Sequence, residues 1–366
     1  MPWIIDAHED LAWNFQTFAR DYRRASTETR ALEAGSEIPQ LNGDTMLGWP
    51  DYQRGQVALV FGTLFLTPKR YQRGEWDHQS YADFNQARRL YQAQADIYHR
   101  WNDETPDYFR LVTNRSSLQA VLAPWDESPA DYPKRTHPVG VVMLLEGAEG
   151  VGDPREMEMW WQAGVRIVGP VWAGTRYCGG TREHGSFTRQ GYELLEIMAG
   201  LGMTLDISHM DNQSALQALD AFPGWVIASH ANARAIIKDV RGERHLTDDA
   251  LRRLIERDGV VGVVPFNPFL RADWRSGDPR SNVPLDMVAA QIDYICQIAG
   301  NAKHVGLGTD FDGGIGWPDV PEGLESISDM QHLASQFQLR GYSDADIAAV
   351  FGGNWRRHLE RALPAS

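Results

Sequence analysis

The chain has little cysteine, no surplus of basic residues and no long apolar run, and each shortage removes a class of function. Cys178 and Cys296 are the only two cysteines among 366 residues. They lack the close pairing of a zinc ribbon or a redox motif, so no disulfide framework is expected. Lys and Arg number 35 against 49 Asp and Glu, a formal net charge of −14. Without a basic stretch there is no electrostatic footprint for nucleic acid or anionic lipid, and neither partner is expected. No apolar run approaches a membrane span. The N-terminal MPWIIDAHED has no basic region leading into a long apolar stretch, so the expected location is cytoplasmic. A glycine-rich dinucleotide fingerprint after the first strand is missing as well.

What is present is apolar and periodic. Hydrophobic residues make up 43% of the chain, with 13 tryptophans, enough for a large core. Eight short apolar runs bounded by turn residues read as strands: Trp3–His8, Val57–Leu66, Val139–Glu146, Val165–Trp172, Met203–His209, Trp225–His230, Val260–Asn267 and His304–Asp310. Their near-continuous apolar character suits parallel strands buried on both faces. Amphipathic stretches lie between them at Asp83–Trp101, Pro154–Ala163, Gln190–Leu201, Asn212–Ala221, Asp248–Arg257 and Pro284–Ala299. This alternation predicts an α/β fold, a (β/α)8 TIM barrel occupying residues 1–366 as one domain. Residues 67–138 are too long for a loop and read as a helical insertion between strands two and three. The polar loops after strands four and seven, Ala173–Gln190 and Pro268–Val283, are expected at the pocket rim.

The chemistry sits at the strand ends. Strand one ends in His8-Glu9-Asp10, strand three in Glu146, strand five in His209, strand six in His230 and strand eight in Asp310. Barrel enzymes place their active sites at the C-terminal ends of the strands, so these side chains should converge on one mouth. In His8-x-Asp10, strand alternation puts imidazole and carboxylate on one face, able to grip the same ion. Taken singly, His209 and His230 also fit hydrogen-bonded structural roles. Glu146 ends a buried strand and needs compensation, from a metal cation or from an arginine such as Arg166. Asp310 lies in a glycine-rich turn with Asp312. Asp312 suits the turn role, and Asp310 is placed to transfer a proton.

Six stretches carry a resemblance that spans nearly the whole chain: DAHEDL at Asp6–Leu11, VMLLEGAEG at Val142–Gly150, LGMTLDISH at Leu201–His209, ASHANARA at Ala228–Ala235, HVGLGTDFDG at His304–Gly313 and GGNWRR at Gly352–Arg357. In these the chain resembles the membrane (renal) dipeptidase family, peptidase family M19. The resemblance implies a barrel with two zinc ions, His8 and Asp10 on one, His209 and His230 on the other, and Glu146 bridging them. It implies a shared hydroxide as nucleophile, Asp310 as the acid/base group, Arg241 as the residue that binds the substrate's terminal carboxylate, and a homodimer. From the residues alone, Arg241 reads as a solvated loop cation.

One position departs from the family. Many members end the fourth strand in a histidine that contacts the substrate's carbonyl region, and Trp172 stands at the matching place. Its indole N–H donates one hydrogen bond but no charge. His184 and Arg176 on the rim are candidate replacements for the lost donor, and Glu149 lies where the family has a histidine shortly after the bridging glutamate. Trp172 and Asn267, at the end of strand seven, are assigned to the substrate side. The expected function is zinc-dependent hydrolysis of the amide bond of dipeptides, including those with a C-terminal D-residue. The alternatives are a related two-metal amidohydrolase acting on another amide, lactam or ester, and a non-catalytic metal- or ligand-binding barrel.

Overall fold

The computed structural model describes residues 2–238, 240 and 242–366. Eight parallel strands form its frame: β1 (Ile4–Glu9), β2 (Val57–Phe65), β3 (Val139–Glu146), β4 (Val165–Gly169), β5 (Thr204–Asp206), β6 (Val226–Ile227), β7 (Val261–Val263) and β8 (Val305–Leu307). They run side by side in the order β7-β8-β1-β2-β3-β4-β5-β6. A bridge between Ala228 and Val261 joins the two ends of that order. The sheet therefore returns on itself as a nearly closed (β/α)8 barrel, as the alternating pattern predicts. Every residue of β1 and β3 is buried, so the ionisable side chains they carry, Asp6, His8, Glu9 and Glu146, all need partners inside the protein.

The helices match the amphipathic stretches closely: Phe84–Glu104, Met157–Gln162, Arg189–Gly200, Asn212–Ala221, Asp248–Glu256 and Asp286–Ala299. Four of them start at a side-chain cap, from Asp83, Thr188, Asp211 and Thr247, each accepting a bond from a first-turn amide. Several apolar runs outlast their strands. The run Val165–Trp172 leaves the ladder at Pro170, which has no N–H to give. The run Met203–His209 pairs only over Thr204–Asp206, and His209 then turns at φ 65°.

Two features were not expected from the sequence. Residues 67–138 hold the helices Phe84–Glu104 and Arg115–Glu127, but between them Phe109–Leu111 pairs in parallel with Val139–Val141 of β3. β4 meets β3 only from Met143 onward, so the start of β3 has a free edge, and this short strand takes it. The connection from β1 to β2 also carries four helices, Leu11–Phe18, Ser26–Glu33, Ile38–Asn42 and Trp49–Gly55. Among the described residues no helix is long and apolar enough to cross a membrane, and Cys178 and Cys296 are both free and buried.

The C-terminal helix Asn354–Ala362 secures β8. The indole of Trp355 is fully buried, donates to the Leu307 carbonyl at 3.0 Å and meets the Phe61 ring edge-on at 5.4 Å. Gly306 makes room for it, since a Cβ there would lie 2.3 Å from the indole nitrogen. Trp355→Ala is expected to cost roughly 3–5 kcal/mol, the range for emptying a buried aromatic site. Denaturant unfolding measures this, and a loss under about 1 kcal/mol would show that the helix does not hold the barrel.

Candidate metal centre

The strand-end residues meet. Glu146 Oε2 lies 3.3 Å from His8 Nε2, while Oε1 lies 3.0 Å from His209 Nε2 and 3.7 Å from His230 Nε2. The two nitrogens Nε2 of His209 and His230 are 2.9 Å apart, and Asp310 Oδ1 is 3.9 Å from His8 Nε2. Three groups with metal-ligand spacing emerge: His8 with Asp10 and Glu146, Glu146 with His209 and His230, and His8 with His230 and Asp310. Glu146 belongs to the first two. Arg166, the alternative partner for Glu146, instead donates to the carbonyls of Thr113 and Trp161 at 2.7 Å and stacks on the Trp161 ring.

The surrounding hydroxyls fix the histidines in the form a metal needs. Ser229 has one hydroxyl proton, and Oγ gives it to Asp206 Oδ2 at 2.5 Å. Its lone pairs then accept from His230 Nδ1 at 2.8 Å and His8 Nδ1 at 3.2 Å. With Nδ1 protonated, both rings present a bare Nε2 lone pair to the centre. Thr181 does the same for His209: its hydroxyl donates to the His209 carbonyl at 3.1 Å and accepts from Nδ1 at 3.1 Å. His8 Nε2 is buried with no hydrogen-bond partner among the described residues. Three imidazoles with inward lone pairs around carboxylates suit a divalent cation.

The charges are out of balance without one. Burial opposes charge on His8, but Glu146, Asp310 and Asp10 outweigh it and raise the imidazole to about 9. Burial likewise works against the Glu146 carboxylate, yet His8 and His209 hold it well below the usual range. Burial and then Glu146 push Asp10 up to about 7. Asp310 is raised well above its ordinary value, chiefly by burial, with Asp10 and Glu146 adding to the effect and His8 opposing it. Burial and Arg244 bring His209 down to about 4. Burial and His8 take His230 well below its usual value. The site holds more carboxylate than its histidines neutralise, which is the condition a bound cation relieves.

Backbone geometry delivers two of these groups at a cost. His209 and Asp310 both lie in the left-handed region, at φ 65° and 57°, a conformation that non-glycine residues adopt where surrounding structure imposes it. Asp6, fully buried on β1, binds the Thr309 amide at 2.7 Å and the Thr309 hydroxyl at 2.5 Å, pinning the end of β8 beside β1. Asp312 has the structural role expected of it. Its carboxylate takes bonds from Tyr22, Thr45 and the Met46 amide, with Arg20 at 3.1 Å.

Over the centre opens a cavity of about 350 Å³ lined by Asp10, Glu146, His209 and Asp310, an aromatic wall that includes Phe65, Trp172 and Phe269, and three arginines. Trp172 packs against Phe65, Tyr71 and His209 at 5.4, 6.2 and 6.1 Å between ring centres. Arg241 lies outside the described residues. The cavity arginine in that stretch is Arg244, which the sequence reading missed. It is buried, sits over the Phe269 ring at 5.1 Å, and none of its guanidinium nitrogens has a hydrogen-bond partner among the described residues. The stretch RGER offers two arginines three residues apart, and periodicity does not single out Arg244 as a lining residue.

Asn267 does not line the cavity. It is fully buried, its amide donates to the Val320 carbonyl at 3.2 Å, and its neighbours Phe266 and Phe269 face the opening instead. The turn after β7 winds straight into the short helix Asn267–Leu270, which carries the Asn267 side chain away from the mouth. Arg176 and His184 are not lining residues either, and Arg176 turns to Glu149 at 3.7 Å. The rim cation that reaches the Trp172 ring is Arg182.

Comparison with known proteins places this architecture. The family model described as membrane dipeptidase (peptidase family M19) matches residues 2–364. A Klebsiella pneumoniae protein described as an uncharacterized protein in the pqqA 5′ region is 32% identical over 234 residues, covering 61% of this chain and 82% of that one. The dipeptidase aclJ of Aspergillus oryzae is 26% identical over 377 residues, covering 98% of this chain and 79% of that one. A Rhodobacter sphaeroides metallo peptidase, solved with a phosphinate mimic of the dipeptide L-Ala-D-Ala, shares the fold at a TM-score of 0.76 and 22% identity, covering 99% of each chain.

Gly313 tests how tightly the carboxylates are set. A Cβ there would lie 2.2 Å from Asp310 Oδ1 and 2.5 Å from Asp10 Oδ2. Gly313→Ala is expected to weaken metal retention by roughly tenfold to a hundredfold, the scale seen when the groups that orient ligands are disturbed. Metal titration of the chelated protein measures this, and unchanged affinity would show that the Asp10–Asp310 approach is not needed.

Proposed function

The chain belongs to the membrane dipeptidase family, peptidase family M19, and is a metal-dependent peptidase of that family; from this premise we propose that it hydrolyses dipeptides with two zinc ions, held by His8 and Asp10 on one side, by His209 and His230 on the other, and shared through Glu146. The observation that carries the reading is the placement of the two Glu146 oxygens, one toward His8 and the other toward His209 and His230. Zinc bound there would supply the Lewis acidity that makes water a nucleophile near neutral pH and polarises the scissile carbonyl.

The protein's own groups perform the remaining work. Asp310 lines the cavity, and its raised proton affinity suits a group that takes a proton from the attacking water and gives it to the departing amine. Arg244 offers a desolvated planar fork to the substrate's terminal carboxylate, the role that the resemblance had assigned to Arg241. Peptides with a C-terminal D-residue belong in the substrate range, supported by the L-Ala-D-Ala mimic in the Rhodobacter sphaeroides structure. The family match from residue 2 to 364 supports reading the whole chain as one catalytic barrel, with residues 67–138 inserted in it. Trp172 favours a second reading, hydrolysis of another small amide, lactam or ester by the same centre, because its ring replaces a polar contact with an apolar wall.

Two outcomes are expected from a dipeptide screen of the zinc-loaded protein. Asp310→Asn should lower kcat by roughly a hundredfold to ten-thousandfold, the range for losing a general acid–base group, while metal content stays at the wild-type level; retained turnover would break the mechanism. Arg244→Met should raise KM for free dipeptides by roughly tenfold to a hundredfold, as expected for losing a charged bidentate contact. C-terminally amidated dipeptides should lose far less, and an equal loss on both would remove the carboxylate from this arginine.

A further inference from the structure

Three arginines line the cavity, Arg73, Arg182 and Arg244, in a chain whose net charge is −14. The substrate's terminal carboxylate accounts for one of them. Arg244 follows β6, Arg73 follows β2 and Arg182 follows β4. The side chains reach past their own strands: Arg73 bonds to Asn42, in the connection between β1 and β2, and lies beside Gly314, after β8, while Arg182 lies against Tyr71, after β2, and Trp172, after β4.

Neither Arg73 nor Arg182 is in a direct ion pair among the described residues, with Asp77 and Asp10 acting on Arg73 only from a distance. Arg70, next to them, is committed: it is bonded to Glu183 and to the Gly174 carbonyl at 3.1 Å. Among the described residues no carboxylate oxygen lies within 4.0 Å of the guanidinium nitrogens of Arg73 or Arg182. Arg73 makes one long bond, Nη2 to Asn42 Oδ1 at 3.4 Å. Both side chains are exposed, yet aromatic rings hold them in place. Arg73 Cζ stands 4.9 Å from the Trp76 ring centre, and Arg182 Cζ stands 5.2 Å from the ring centres of both Tyr71 and Trp172. Stacking on a ring face fixes the guanidinium plane and leaves its N–H edges free for a carboxylate.

We propose that Arg73 and Arg182 form a second anion subsite, with Trp172 as its platform, that selects dipeptides whose N-terminal residue carries a side-chain carboxylate. The proposal rests on the dipeptidase reading: with the terminal carboxylate on Arg244 and the scissile bond over Glu146, the other two arginines lining the cavity are left for the N-terminal residue. Trp172 then has a function of its own, since its indole offers a broad ring face on which the Arg182 guanidinium rests.

The test compares kcat/KM of the zinc-loaded protein for Glu-Ala and Gln-Ala, each with L- and D-alanine, so that only the charge differs within a pair. Glu-Ala is expected to be preferred by at least about tenfold, as paired charged contacts allow, and R73M/R182M should bring the ratio to within about twofold of one. A wild-type ratio near one, or a high ratio that survives both substitutions, overturns the subsite. The single variants R73M and R182M serve the same comparison should the double variant fold poorly. If neither peptide is cleaved, the dipeptidase reading fails, and calorimetric binding of the same pair decides the subsite: tighter Glu-Ala binding that the substitutions abolish supports it, and equal binding overturns it.

Discussion

A carboxylate at the end of a wholly buried strand is the constraint on which the rest of this structure turns. Glu146 ends β3, and its neighbours in register are Phe65 of β2 and Gly169 of β4. Burial alone would drive the carboxyl to neutrality. It is kept charged by imidazoles from β1 and from the ends of β5 and β6, which only a sheet curled back on itself can bring to one point. Barrel closure and the metal centre are thus one requirement, met by the same strand order.

The surrounding shell converts that requirement into a defined chemistry. One serine hydroxyl, held by Asp206, sets the tautomer of two histidines, and Thr181 sets the third. The left-handed backbone at His209 and Asp310 turns both side chains over the mouth, and bonds such as those from Asp6 to Thr309 hold the strand ends in place. On the substrate side the arrangement is simpler. Aromatic rings wall the cavity, and the three arginines lining it give an otherwise acidic protein a locally cationic entrance.

The barrel, and the convergence of the five proposed metal ligands on one mouth, were legible in the sequence, because both follow from strand ends. A buried parallel strand is largely apolar, so histidines and carboxylates gathered at its C-terminal end mark the mouth, as His8, Glu146, His209 and His230 do. What was not legible depends on contacts distant in the chain. Phe109–Leu111 becomes a strand only because β4 leaves part of β3 uncovered. Ser229 and Asp206 look like ordinary polar residues beside a strand until the two histidines they orient come together. The position after β7 was misjudged in Asn267, since a tight helical turn carries it into the packing and gives the opening to Phe266. Arg244 and the two stacked arginines left no periodic signal, because loop residues are placed by tertiary packing and not by alternation.

The central claim is that Glu146 joins two metal ions, and an anomalous difference map from crystals of the zinc-loaded protein, recorded at the zinc edge, tests it most directly. Two peaks about 3.5–4 Å apart, one on each side of Glu146, are the predicted result. A single peak that leaves either His8 and Asp10 or His209 and His230 without a metal would contradict it.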